Sequence, residues 1–234
     1  MQSYLLPRRH TALLVALLFV FVARPVVGES AIAMPVFSVA LMTLLLVSLY
    51  NVELDARQMT AIGPRRITWI GWLLAVPAVI ERLAVIAFPS RWLSVSGLTL
   101  WLFVIGFVTW TQVRTLLKEM AVTRETISLA ISVYLLLAVA WGLFFMLLYE
   151  LQPNSFNLGS QTIVSSRDAY PVLLYFSLTT LATVGYGDIL PLTLQARYAA
   201  VAEGITGQFY LAILVARLVA LQTGAVSAPG TPKE

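Results

Sequence analysis

The chain has no cysteine, a single histidine and few charges. Without cysteine there is no disulfide, no thiolate nucleophile and no cysteine-ligated metal. The one histidine, His10, follows Arg8 and Arg9 near the start and is expected to be solvated. Few acids fall within the apolar stretches. No histidine cluster, paired carboxylates or Ser/His/Asp set can therefore be assembled, and neither an enzyme, a cofactor nor a small-molecule substrate is expected. Charged residues make up only 11% of the 234, hydrophobic residues 59%, and the mean hydropathy is +0.87. A soluble domain has about a quarter charged and about half apolar residues. Lipid is the natural solvent and partner for such a surface. The net charge of +4 does not point to nucleic acid, because no basic run is interleaved with aromatics.

What is present is a series of long apolar runs. A bilayer helix needs about 20 such residues. Six stretches approach this: 11–28, 31–50, 67–88, 93–113, 127–151 and 196–221. A half-length stretch, 171–182, lies between the last two and is too short to cross, so a re-entrant placement is expected. Irregular backbone at membrane depth is tolerated only where protein surrounds it or water lines it. One re-entrant segment without a matching second half argues against a transporter.

Lysine and arginine set the orientation. Arg8, Arg9, Arg57, Arg65, Arg66, Arg114, Lys118 and Arg124 fall on one side, against Arg91 and Arg167 on the other. The first side is therefore cytoplasmic, with both termini, and the loop 152–170 lies outside. The first stretch has a second reading as a cleaved signal peptide, since Arg8-Arg9, an apolar core and Val27-Gly28 follow that pattern. The pairing of spans one to four favours retention.

Between the short stretch and the last long one stands Thr183-Val184-Gly185-Tyr186-Gly187-Asp188. Several backbone carbonyls aimed into one pore can replace a cation's hydration shell. That needs residues alternating between ordinary and positive φ, which glycine adopts without a Cβ penalty. Gly185 and Gly187 are spaced for it. Thr183 adds a hydroxyl at the inner mouth, and Val184 and Tyr186 can pack behind.

The run from Thr180 through Asp188 resembles the signature of potassium channels. The segment from Glu203 to Leu218, with Gly204, Gly207 and Arg217, looks like the inner helix of bacterial channels of the two-helix ion channel family. The resemblance covers about 127–221. It implies an all-α membrane protein of six transmembrane helices, with a re-entrant pore helix and a selectivity-filter loop, assembled as a homotetrameric pore in the plasma membrane, the inner membrane in a bacterium. Carbonyls of Thr183, Val184, Gly185 and Tyr186, with Gly187 completing the loop, would hold K+ as the permeant ion. Thr180, Tyr175, Asp188 and Glu203 would support the filter. The division implied is a four-helix collar at 1–113, a cytoplasmic linker at 114–126, a pore domain at 127–221 and a disordered tail at 222–234. The alternatives are a weakly selective cation channel and a non-conducting regulatory subunit.

The chain departs from the family where many members carry two tryptophans and it has Tyr175 and Phe176. Phe176 cannot donate a hydrogen bond; the Tyr175 phenol can reach Asp188. A less firmly braced filter, prone to inactivation, is expected. The stretch 93–113 has no charge, so a voltage sensor is not expected. Arg24, Glu81 and Arg82 are expected at similar depths, which allows a Glu81–Arg24 pair, static or functional. Gly204 and Gly207 read equally as a gating hinge or as close packing against the pore helix. The linker 114–126 reads as an interfacial coupling helix or a plain connecting helix.

Overall fold

The computed structural model describes residues 9–27, 90–159 and 166–226, with scattered helical residues between 39 and 51 and between 69 and 80. The elements assigned among them are α1 (Arg9–Val27), α2 (Arg91–Lys118), α3 (Arg124–Leu151), β1 (Phe156–Asn157), α4 (Ser166–Leu181), β2 (Leu190–Pro191) and α5 (Leu194–Val226). Three of them, α2, α3 and α5, are long and apolar enough to cross a membrane. The apolar run of α1, His10–Val22, is shorter. The expected spans at 31–50 and 67–88 lie mostly outside the described residues, as do Glu81, Arg82 and the Arg24 side chain. The six expected spans are thus three among the described residues.

Helix ends account for the other differences from expectation. The α2 helix runs through Lys118 rather than stopping at 113. Its last carbonyls are not left bare: the Arg217 guanidinium donates to the Leu117 carbonyl at 2.5 Å and to that of Glu119 at 2.9 Å. The next helix starts at Arg124 because Thr123 and Thr126 form a capping box. The linker contracts to the non-helical residues 119–123, neither an interfacial nor a connecting helix. At the opposite end the Arg91 guanidinium donates to the Glu150 carbonyl at 2.8 Å, closing the C-terminus of α3.

The α3 helix is the hub, packing against α1, α2, α4 and α5. Leu129, Val133, Leu136, Val139 and Phe145 on it are fully buried. Lipid tails remove the hydrophobic drive between helices, so close packing and polar contacts hold the bundle. The α1 helix presents Leu13, Leu17 and Val20, a helical stripe, to this core. Its N-terminus is tied to α3 by Glu125, which accepts from His10 N at 3.0 Å, Thr11 N at 3.4 Å and Thr11 Oγ1 at 2.6 Å. A carboxylate there satisfies orphan donors and favours the positive end of the helix dipole. His10 is buried in consequence, not solvated as its terminal position suggests.

Candidate functional site

The site is built on α4 and the loop after it. The helix begins at Ser166, earlier than the expected 171, and tolerates Pro171 within it. It descends along α3 until the Leu181 carbonyl accepts from the Tyr134 hydroxyl at 3.0 Å. The chain then turns back. By Leu192 it has rejoined the far end of α3, where its N–H donates to the Ser155 carbonyl at 2.8 Å. The antiparallel pair Phe156↔Pro191 and Asn157↔Leu190 fastens this return. A two-residue ladder is too short to show as a period in sequence.

Between Leu181 and Leu190 the backbone alternates. Thr183, Gly185 and Gly187 have φ of 58°, 55° and 79°, while Val184 and Tyr186 between them are not positive. The two glycines stand as expected. Thr183 does not: a β-branched residue in the left-handed region is strained and persists only where its surroundings impose it. The imposition is visible. Thr183 N donates to the Thr180 carbonyl at 3.0 Å, and Val184 N and Gly185 N both donate to the Thr179 carbonyl at 2.8 and 3.3 Å. In a planar trans peptide the carbonyl opposes the N–H. Fixing these donors on the C-terminus of α4 therefore turns the carbonyls of Ala182, Thr183 and Val184 away from the helix, toward the open side. Residues 182–188 are all exposed. Val184 and Tyr186 are 51% and 72% exposed, so one chain alone does not bury them behind the loop.

The expected support residues are placed as follows. The rings of Tyr175 and Tyr186 stack at 6.5 Å with an interplanar angle of 3°. The Asp188 carboxylate lies near enough to the Tyr175 phenol to act on it electrostatically. Phe176 enters an edge-to-face cluster with Phe145 and Phe156, at 5.2 and 5.5 Å, where it contributes packing and no hydrogen bond. Thr180 supplies a carbonyl rather than its side chain. A Cβ at Gly204 would stand 4.0 Å from that carbonyl, an ordinary contact, whereas one at Gly207 would stand 2.5 Å from the Leu181 carbonyl. Close approach of α4 and α5 thus gives a reason for glycine at 207 without any bending.

Glu203 is fully buried on α5, and its Oε1 lies 2.5 Å from Ser177 Oγ on α4. Ser177 and Tyr134 were not singled out from sequence. The available signal was an acid in the last apolar stretch that needs a partner, with Ser177 one of several hydroxyls in the half-length stretch that could supply it.

Comparison with curated proteins and with solved structures returns no match. Residues 129–223 match the family model described as "Ion channel". That match begins within α3 and spans the short helix, the alternating loop and α5. Residues 129–223 are therefore similar to ion channels, a likeness that supports passive ion conduction across a membrane.

Proposed function

We propose that the chain is one subunit of a homotetrameric, potassium-selective channel of the plasma membrane. The carrying observation is the period-two alternation of φ at Thr183, Gly185 and Gly187, with the N–H groups of Thr183, Val184 and Gly185 held on α4. Four such loops around an axis present rings of carbonyl oxygens from Thr183, Val184, Gly185 and Tyr186 to K+, with Gly187 closing the loop. The short helix α4 is then re-entrant, entering and leaving on the outer side. Both termini face the cytoplasm, by the lysine and arginine bias. Gly204 and Gly207 are the positions at which α5 would bend if the pore gates there. The exposed surface of α5 fits a subunit whose contacts are supplied by other copies.

The test is K+ flux from proteoliposomes holding the full chain. Gly185→Ala forces a Cβ into the left-handed region at a cost of about 1–2 kcal/mol per copy, and is expected to abolish selective flux. Reversal potentials in mixed Na+ and K+ read selectivity. A reversal potential indifferent to the Na+/K+ ratio would convert the reading to a weakly selective cation channel. No K+ flux from any preparation would leave a non-conducting subunit.

A further inference from the structure

The buried contact between α4 and α5 poses a counting problem. Ser177 Oγ lies 2.8 Å from the Ala138 carbonyl on α3 and 2.5 Å from Glu203 Oε1 on α5. A hydroxyl carries one proton. With Glu203 ionised, one of these two oxygen–oxygen contacts has no proton between its atoms. With Glu203 protonated, both close: Glu203 donates to Ser177, and Ser177 donates to Ala138. The second carboxyl oxygen gives an independent argument. Glu203 Oε2 is buried and has no partner. A buried carbonyl oxygen left unpaired is costly, and a buried charge left unpaired is far more so.

We propose that Glu203 is a neutral carboxylic acid that clamps the short helix α4 between α3 and α5, and that loss of its proton releases the clamp and stops conduction. On ionisation the proton leaves to solvent. Ser177 then turns its own proton from the Ala138 carbonyl to Oε1, and this one of the hydrogen bonds to α3 is lost. The remaining charge rests on a carboxylate whose other oxygen meets nothing. The groups around it give little relief. From α3, Tyr134 is close enough to feel the charge, but its hydroxyl is spent on the Leu181 carbonyl. From α4 the facing group is the non-titrating Ser177 hydroxyl, and no cation on α5 acts on Glu203 among the described residues. The Leu181 carbonyl to which Tyr134 donates ends α4 directly before the alternating loop. Movement of α4 therefore reaches the loop without any proton binding in it. The switch rests on the channel reading; the protonation state does not.

The experiment uses the full chain in lipid vesicles. Infrared spectra at neutral pH are expected to show a carboxylic-acid carbonyl band that is absent from Glu203→Gln. K+ flux through the unsubstituted chain should be lost as pH is raised, together with that band. In Glu203→Gln, flux should be flat across the same range whatever its absolute level. Ser177→Ala keeps the acid and removes its partner, so it should shift the band; this holds the proposal open to refutation if Glu203→Gln does not fold. Absence of the band at neutral pH, a band unmoved by Ser177→Ala, or a Glu203→Gln profile that follows the unsubstituted one would each overturn the proposal. A band with no flux in any variant supports the neutral clamp and removes the conduction reading instead.

Discussion

Two long helices of the region similar to ion channels make opposite use of similar apolar sequence. Half of the most apolar window of α3 is buried within the chain; for α5 the share is 6%. The α3 helix meets four other helices, whereas α5 leaves Val201, Ile205, Phe209, Ile213, Val215 and Val219 exposed. Val201, Ile205, Phe209 and Ile213 recur every fourth residue and the other two fall on the same side, so one broad apolar face of α5 is left uncovered by its own chain. Within one chain, α5 is held at a few points: Gly207 against Leu181, Glu203 against Ser177, Tyr210 Oη donating to the Ala130 carbonyl at 2.6 Å, and Arg217 at the end of α2. One helix is a scaffold complete in itself. The other is pinned along a single line and is finished by its surroundings.

Breaking the pins should cost most. Gly207→Ala drives a methyl against the Leu181 carbonyl and is expected to destabilise the fold by up to about 3 kcal/mol, the upper range for overpacking, read by unfolding in detergent or lipid. Phe145→Ala tests the self-contained side. In water such a truncation costs about 3–5 kcal/mol. In lipid the transfer part falls away and lost dispersion contacts remain, so about 2 kcal/mol is expected from the same assay. Glu125→Ala strips the N-terminus of α1 of its acceptor and should cost about 1 kcal/mol. Its signature is faster hydrogen exchange at residues 10–12, with α5 unaffected. Phe209→Ala should change the stability of the folded chain by less than about 0.5 kcal/mol, as an exposed substitution does. It should nevertheless weaken association between copies, measured by cross-linking in membranes. If Phe209→Ala destabilised the isolated chain as much as Phe145→Ala, the contrast between the two helices would be wrong.

Much of the site was legible beforehand because its chemistry is local. Two glycines at a spacing of two announce alternating φ, and both alternate. The half-length of α4 announces a segment too short to cross, although its first turns, before Pro171, were not visible because a proline reads as a helix start. The strain at Thr183 was not legible, since no β-branched residue advertises a positive φ; the Thr179 and Thr180 carbonyls impose it from a helix end. Burial of His10 was hidden for a similar reason. Its environment is made by α3, more than a hundred residues away. The helix ends at 118 and 124, inside the expected linker, were not legible because caps supplied by Arg217 and by the Thr123–Thr126 pair decide where the helices stop and start.

By itself, the order of residues determined that this chain needs lipid as its solvent, where its long apolar helices run, and which short loop can offer carbonyls in succession. Those properties depend on composition, run length and the conformational freedom of individual residues, all written in near neighbours along the chain. Only the tertiary structure decided that Glu203 meets Ser177, that Gly207 lies under Leu181, and that α3 is wrapped while α5 is left open. Each of these joins residues distant in sequence, and a helix's apolar pattern states that a face will be covered without stating what covers it.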